Sequence, residues 1–287
     1  MVSKAVKCTT CSIRQAVYYR RESGEKLCLQ CLEKSIVRQV KHEINKWKML
    51  EPHDTIGFLI PIETLLISIP AFKIMSIIER KYATELFLIK PKELKGVVFD
   101  VEKVVEYQLP RRPKTITELL RLERVEAAKI SDKHGINKII VPHTLEFEVT
   151  YFLMNILEFN FAALSDLNPK MYSEKYGVLF TKPFRKVKSY EILLYGYLKG
   201  LLSEVHFSSI ISKYFTFDNC CKLGKYLDYI ITLGKRHFEL LISTLKMSEL
   251  FIEKILPEYG FRRPCLLCGA LAKNKLCNVC STLYFNA

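Results

Sequence analysis

The sequence predicts an α/β protein built on a parallel sheet, with a four-cysteine metal module at each end of the chain. In the middle of the chain, short apolar segments alternate with helix-like segments, which is typical of a parallel sheet covered on both faces. At the two ends lie four C-x-x-C pairs. The 287 residues carry a net charge of +14, which favours a polyanionic partner such as nucleic acid.

Eight of the ten cysteines form the two predicted metal modules. Two residues between cysteines let both sulfurs of a pair reach one tetrahedral ion, and two pairs complete the shell. We therefore predict two structural zinc ions and expect no iron–sulfur cluster, although such clusters use the same thiolates. Gly269, directly after a cysteine, suits a tight turn with positive φ. The ligands are Cys8, Cys11, Cys28 and Cys31 at one end and Cys265, Cys268, Cys277 and Cys280 at the other.

The cysteine usage also indicates a compartment. Paired thiols in a chain without a secretory signal favour metal binding in a reducing environment. Met1–Lys7 is basic and is followed by Cys8 instead of an apolar segment, so we predict no signal peptide and a cytoplasmic protein. The most apolar stretch, residues 56–78, is interrupted by prolines and charges, so we predict no membrane span.

Hydrophobic periodicity predicts the elements between the modules. A basic helix at 33–50 leads to a buried strand, Ile56–Ile60, and to a second helix. Further strands are predicted at Glu85–Ile89, Gly96–Phe99 and Lys138–Val141, and helices at Thr117–His134, Leu145–Phe161, Tyr190–Leu202 and, broken near Gly234, Asn219–Leu256. Gly135 is the expected C-cap of one of these helices. The predicted domains are a module at 1–32, a linker helix at 33–54, an α/β domain at 55–256 and a module at 257–287.

Basic residues cluster beside the cysteine modules. The first fifty residues hold eleven Lys and Arg against four Asp and Glu, which is half of the net charge. Tyr18 and Tyr19 lie among them and offer faces on which bases can stack. The alternatives are a solvated basic surface and modules that only tether the chain ends. The candidate nucleic-acid contacts are Arg14, Arg20, Arg21, Lys26, Lys41, Lys182, Arg185, Lys186, Arg262 and Arg263.

Two internal segments carry a family resemblance. Residues 138–157, KIIVPHTLEFEVTYFLMNIL, resemble a strand ending in G-H-N-x-D-D-E-A, with His143 and Glu148 in place. Residues 182–201, KPFRKVKSYEILLYGYLKGL, resemble a K-P-L stretch that leads to a helix, with Glu191 and Tyr195 in place. Together with the two modules, these segments resemble the TtuA-type tRNA 2-thiolation proteins over nearly the whole chain. The resemblance implies an ATP pyrophosphatase (PP-loop) fold, also called adenine nucleotide alpha hydrolase-like.

The phosphate loop of that family, S-G-G-x-D-S, follows the first strand. Here the corresponding positions are Pro61, Ile62, Glu63, Thr64, Leu65 and Leu66, and none of the family's residues is kept. Glycines let backbone N–H groups close around a phosphate. Pro61 lacks an N–H, Ile62 blocks close approach, and Glu63 would repel a phosphate. The sequence therefore predicts a former nucleotide loop that is filled by packing and binds no ATP.

The family's other reactive positions are also replaced. Its central C-x-x-C, which holds a cluster or passes on sulfur, corresponds to Lys114 and Thr117. A later cysteine has only Ser208 or Ser209 near it, and the acidic pair has become Glu146 and Phe147. Serine and threonine are not soft-metal ligands. The resemblance thus implies a degenerate, non-catalytic member of the family.

We therefore expect a tRNA-binding pseudoenzyme that forms a heterodimer with an active TtuA-type paralogue. In the eukaryotic members that this chain resembles, an active subunit is paired with a degenerate one. Two alternatives remain at the level of sequence. One is a divergent, active tRNA sulfurtransferase or other modification enzyme, and the other is a zinc-dependent nucleic-acid-binding regulator.

Overall fold

A computed structural model describes residues 6–82, 84–94, 99, 101–202 and 218–285. Its centre is a six-stranded sheet. The strands are Thr55–Leu59 (β3), Glu85–Pro91 (β4), Lys103–Tyr107 (β5), Lys138–Ile140 (β6), Lys170–Ser173 (β7) and Val178–Thr181 (β8). Their order is β5-β4-β3-β6-β8-β7, and all neighbouring pairs are parallel except β7 and β8. The predicted α/β fold with a largely parallel sheet is confirmed.

Helices pack in layers around this sheet. The helices are Leu29–Trp47 (α1), Leu65–Glu79 (α2), Ile116–His134 (α3), Leu145–Leu157 (α4), Phe161–Leu164 (α5), Ser189–Leu198 (α6), Asp218–Gly234 (α7), Phe238–Leu250 (α8) and Asn278–Phe285 (α9). Helices α1, α2 and α6 pack against one another, and α4 packs against α7 and α8. Gly135 ends α3 at φ +66°, as its predicted C-cap.

The end modules are small and each contains a two-stranded antiparallel sheet. Tyr18–Arg20 (β1) pairs with Glu25–Leu27 (β2), and Arg263–Pro264 (β9) pairs with Leu271–Ala272 (β10). Helix α1 begins directly after Cys28 and buries Leu32, Ile36 and Val40 along one side. This spacing of apolar residues is why the basic segment forms a helix that leads into the α/β core.

Two parts of the sheet differ from the sequence prediction. The hairpin of β7 and β8 was not predicted, although its turn carries Gly177 at φ +61° between two strands of mixed polarity. Its strands are only four residues long, which gives little periodic signal. The edge strand β5 was also missed, and most of the predicted strand Gly96–Phe99 lies outside the described residues.

The predicted helical region 219–256 is divided into three elements. Helix α7 ends at Gly234, close to the predicted break, and α8 begins at Phe238. After α8 the chain continues as a π-helical turn, Phe251–Ile255. Helix α4 ends earlier than predicted, because Phe159 adopts a left-handed backbone with φ +53°. None of the described helices is long and apolar enough to cross a membrane.

Candidate functional site

The carboxyl ends of β3 and β6 form the switch point of the sheet. From β3 the chain moves outward to β4 and β5, then returns to place β6 on the other side of β3. Ligands of open α/β sheets bind in the crevice at this point. The loop at residues 61–66 follows β3, and the segment with His143 follows β6. These two segments therefore define where a nucleotide site would lie.

The loop after β3 is closed by a carboxylate from another helix. Residues Ile62–Thr64 form a 3₁₀ turn that continues directly into α2. The backbone N–H of Ile62 donates to Oε1 of Glu123 over 2.8 Å, and the Tyr107 hydroxyl donates to the same oxygen over 2.8 Å. Glu123 belongs to α3 and is buried. A backbone amide that would face a phosphate in this loop is therefore already bonded to an internal carboxyl group.

The side chains of the loop are packed, with one exception. Pro61, Ile62, Thr64 and Leu65 are buried, and the Glu63 side chain is 1% exposed. Leu66, in the first turn of α2, is 46% exposed. The Thr64 N–H bonds back to the carbonyl of Pro61. The polar groups of the loop thus form hydrogen bonds within the protein, whereas those of a glycine-rich loop would face a phosphate.

A chain of buried ionisable side chains fills the switch point. Nε2 of His143 lies 2.9 Å from Oε1 of Glu63, and its Nδ1 lies 3.4 Å from Oε1 of Glu148. The Lys182 ammonium donates to Oε1 of Glu148 over 2.7 Å. Arg185 adds a guanidinium 3.7 Å from the other oxygen of Glu148. Two family-like residues, His143 and Glu148, therefore take part in an internal network.

Burial and neighbouring charges determine which side chains in and beside this network are protonated. Burial, with Glu123 alongside, raises the pKa of Glu63 well above its usual range, and burial raises the pKa of Glu123 to about 7. Burial also lowers the pKa of His143 to about 4, so the imidazole is neutral at pH 7. Burial opposes ionisation of Glu148, but the Lys182 ammonium and the nearby His143 ring lower its pKa to about 2.

Other positions that carry chemistry in the resembled family have structural partners here. The Thr117 hydroxyl lies 2.8 Å from the Tyr151 hydroxyl, while Lys114 is exposed. The Glu146 carboxylate accepts from both the N–H and the hydroxyl of Ser189, each over 2.7 Å, and so ties α4 to α6. Phe147 packs against His143 with ring centroids 4.2 Å apart. Ser208 and Ser209 lie outside the described residues.

The eight predicted cysteine ligands form two compact groups. Within each group of four, all sulfurs lie within 4.8 Å of one another. Sulfurs of different pairs approach to 3.8 Å between Cys11 and Cys28 and to 3.7 Å between Cys268 and Cys277. A tetrahedral ion with bonds of about 2.3 Å places sulfurs at about this spacing. Both groups can therefore hold a metal, and no other such group occurs among the residues that the structure describes.

The C-terminal module is docked on the core through backbone groups. Arg124 donates from Nε to the Cys268 carbonyl over 3.1 Å, and the Ser173 hydroxyl donates to the Leu267 carbonyl over 2.8 Å. Gly269 has φ +73°, and a Cβ there would lie 2.9 Å from the Tyr172 carbonyl oxygen. The predicted turn glycine is thus also required by the close approach of β7.

The predicted nucleic-acid contacts separate into exposed and internal groups. Lys182 and Arg185 are buried in the network around Glu148, so the structure places neither of these two predicted RNA contacts at the surface. Their segment has the composition of a solvated basic surface. Its burial could not be predicted, because the carboxylate that pairs with both residues, Glu148, lies far away in the chain. Arg20 and Lys186 are engaged by Glu191 and Glu43. Lys41 is half-buried over the Tyr82 ring, and the exposed members are Arg14, Arg21, Lys26, Arg262 and Arg263.

Comparison with known proteins points to one family. No model of a known protein family matches the chain. It is 21% identical to "Cytoplasmic tRNA 2-thiolation protein 1" of Dictyostelium discoideum, over 98% of this chain and 83% of that protein. It also resembles the structure "U34-tRNA thiolase NcsA from Methanococcus maripaludis with its [4Fe-4S] cluster". That similarity has a TM-score of 0.68 at 17% identity and covers 98% of this chain and 96% of the other.

The solved thiolase corrects the cofactor prediction. Zinc alone, with no iron–sulfur cluster, was expected from the cysteine spacing, but the structural neighbour holds a [4Fe-4S] cluster. Four thiolates in a compact group suit either zinc or iron–sulfur ligation, and this chain has two such groups. Spacing of cysteines does not distinguish the two, because both metals use the same soft sulfur donors.

Proposed function

We propose that this chain, which belongs to the TtuA-type family of tRNA 2-thiolation proteins, binds tRNA in the cytoplasm without activating ATP itself. In this proposal it acts as a non-catalytic subunit beside an active paralogue. Its contribution is positional, since contacts to phosphates fix the register of an RNA and the partner supplies the reactive site. The cytoplasmic location follows that of the Dictyostelium relative.

The observation that carries the proposal is the bond from the Ile62 N–H to Glu123. In a phosphate loop, several free N–H groups converge on the ligand. Here one donor is absent at Pro61, one is bonded to Glu123, and the N–H of Thr64 is bonded to the Pro61 carbonyl. A phosphate entering this loop would have to displace these internal hydrogen bonds and the buried side chains of Glu63 and Glu123, which supports loss of ATP chemistry.

The exposed basic residues support tRNA binding. Arg14, Arg21 and Lys26 belong to the N-terminal module, and Arg262 and Arg263 precede the C-terminal one. None of these five forms an ion pair with another described residue. Free cations of this kind release counterions from nucleic acid when they bind phosphates.

Two measurements on the purified full-length protein test the proposal. Fluorescence anisotropy with labelled tRNA measures binding, and pyrophosphate release from ATP in the presence of tRNA measures activation. We expect tRNA binding that weakens steeply with salt, and no pyrophosphate above background. An intact TtuA-type thiolase provides the positive control. Turnover by this chain would overturn the pseudoenzyme proposal, and absence of tRNA binding would overturn its RNA-binding part.

The partner role requires a separate experiment. A tagged copy of the chain, expressed in its native cells, is purified at low salt, and the associated proteins and RNA are identified. We expect an intact TtuA-type paralogue and tRNA in the eluate. Recovery of the tagged chain alone would contradict the subunit role. The tRNA-binding part of the proposal would then be decided by the anisotropy measurement. Recovery of mostly DNA would instead favour a regulatory protein.

A further inference from the structure

A cavity of about 440 Å³ lies between the N-terminal module and the helices α6, α7 and α8. It is distinct from the filled switch point, since no residue of the loop at 61–66 lines it. Its walls include four aromatic and three basic residues, Tyr18, Tyr19, Tyr190 and Phe238 with Arg21, Lys188 and Lys235. A concave surface that combines aromatic faces with cations has the composition of a nucleotide-binding site.

The aromatic wall is held in place by the ion pairs of Arg20. This guanidinium donates to both oxygens of Glu191 over 2.9 Å each and so fixes β1 to the first turn of α6. The Tyr18 hydroxyl donates to the same carboxylate over 3.2 Å. Tyr18 and Tyr190 consequently lie with ring centroids 5.9 Å apart. The wall is thus preorganised, which lowers the entropic cost of ordering it around a ligand.

Two aromatic rings of the cavity remain open to a ligand. Tyr19 is 54% exposed and Tyr190 is 52% exposed, although both line the cavity. An aromatic face that is half open to water is available for an unstacked base, because every base has a π-face. Phe238, by contrast, is covered by the Lys188 ammonium, which lies 4.0 Å from its ring centroid.

The charges around the cavity leave two cations available for a phosphate. Lys188 pairs with Glu22, so neither contributes a free charge. Burial raises the pKa of Glu146, whose carboxyl is in addition bonded to Ser189. Arg21 and Lys235 are exposed and have no ion pair among the described residues. The rim of the cavity is therefore positive at the two positions that solvent reaches.

We propose that this cavity binds one unpaired nucleotide of an RNA, with its base against Tyr19 and Tyr190 and its phosphate at Arg21 and Lys235. The proposal rests on the proposed tRNA binding and adds the place and the chemistry of one contact. Base stacking requires a nucleotide that is not paired, so a loop or single-stranded end of the RNA is the ligand. A free nucleotide offers the same base and phosphate, and the test separates the two sources.

The test compares tRNA binding by three variants of the full-length protein. In the first, Tyr19 and Tyr190 are both changed to Ala. In the second, Arg21→Ala is combined with Lys235→Ala. The matched control is Tyr197→Ala, because Tyr197 lies on α6, is 74% exposed and does not line the cavity. All changed side chains are exposed, and circular dichroism checks that each variant is folded.

We expect the double tyrosine variant to lose about tenfold or more in tRNA affinity, as stacking of a base on aromatic side chains predicts. The double cation variant should lose affinity mainly at low salt and show a smaller dependence on salt concentration. The Tyr197 control should bind like the unchanged protein. Photo-crosslinking with 4-thiouridine-containing RNA should label peptides that contain Tyr19 or Tyr190.

Each failure has its own reading. If the unchanged protein binds tRNA and the cavity variants bind equally well, the cavity proposal is overturned and tRNA binding stands. If the unchanged protein binds no RNA, both proposals fail. If uridine monophosphate binds the cavity as tightly as the RNA does, the ligand is a free nucleotide, which overturns the assignment to RNA.

Discussion

The Nε2 atom of His143 lies 2.9 Å from Oε1 of Glu63, although 80 residues separate them in the chain. Each follows one of the two strands at the switch point of the sheet, so their side chains meet in the crevice where open α/β sheets bind their ligands. The crevice is occupied by the protein's own polar groups.

Glu123 should be required as a hydrogen-bond acceptor inside the core. Glu123→Ala would leave the N–H of Ile62 without its acceptor, while the Tyr107 hydroxyl keeps the Ile60 carbonyl 3.1 Å away, at a cost of about 1–3 kcal/mol in the free energy of unfolding. Glu123→Gln keeps an acceptor oxygen and should cost less than about 1.5 kcal/mol at pH 6. Urea denaturation measures both variants. Equal stability of the Ala variant and the unchanged protein would show that the bond contributes nothing.

The same carboxyl should make stability depend on pH. Its pKa is about 7 in the folded protein and ordinary in the unfolded chain, so the folded state holds the extra proton. The contribution is therefore complete at low pH and is lost as pH rises from about 4.5 to about 7, by on the order of 3 kcal/mol. Glu63 acts in the same direction because its pKa is also raised, whereas His143 and Glu148 act in the opposite direction because their pKa values are lowered. The informative quantity is the stability of Glu123→Gln minus that of the unchanged protein, which should increase with pH.

Lys182 should stabilise the fold without contacting RNA. Lys182→Ala removes a buried partner of Glu148 and should cost about 3–5 kcal/mol in the free energy of unfolding. Its tRNA affinity, measured where the variant remains folded, should stay unchanged. Arg263→Ala is the control with the opposite expectation. Removal of this exposed cation should leave the free energy of unfolding unchanged and reduce the salt slope of tRNA binding by about 1. A loss of RNA affinity in folded Lys182→Ala would contradict this division.

Metal removal should affect the two modules differently. The C-terminal module is tied to the core by Arg124 and Ser173, so Cys268→Ser should lower the thermal midpoint of the whole protein. Cys11→Ser should release the metal of the N-terminal module, which Arg20 ties to α6 through Glu191. Because Cys11 is only partly buried, its replacement should lower the midpoint less. Elemental analysis of anaerobically purified protein counts the metal per chain, and visible absorption distinguishes iron–sulfur from zinc. Full retention of metal in both variants would exclude these cysteines as ligands.

Replacement of Gly269 by Ala should destabilise the protein more than the same replacement at Gly135, another glycine with positive φ. Gly135→Ala meets no atom within 4 Å and should cost only the left-handed strain of about 1–2 kcal/mol. Gly269→Ala has similar strain and also approaches the backbone of Tyr172, so it should cost about 1–3 kcal/mol more. Denaturation of the two variants, with metal content measured in parallel, isolates the packing cost. Equal costs would mean that β7 moves away freely.

Much of the fold could be predicted because its signals are local. Apolar periodicity placed α1, α3 and α4, and a glycine marked the end of α3. Cysteine spacing identified both metal groups, since a C-x-x-C pair is sufficient to direct two sulfurs to one ion. The hairpin of β7 and β8 was missed because its strands are short and pair across the sheet edge, which leaves a weak local pattern.

The candidate site could be predicted only in part. The absence of glycines at 61–66 is visible in the sequence, and so is the chemistry that this absence removes. The sequence does not show that Glu123 accepts a hydrogen bond from Ile62, because 61 residues of chain separate the two. The cavity beside Tyr19 and Tyr190 could not be predicted from the sequence either, since its walls come from segments that are distant in the chain.

By itself, the sequence determined the residue types available at each position: thiols in pairs, a loop without glycines, and an excess of cations. Only the tertiary structure decided which of those cations face solvent. Lys182 and Arg21 are both basic, yet one neutralises a buried carboxylate and the other projects from the N-terminal module. The reason is physical: burial of a charge depends on partners brought together by the fold, and those partners are remote in the chain.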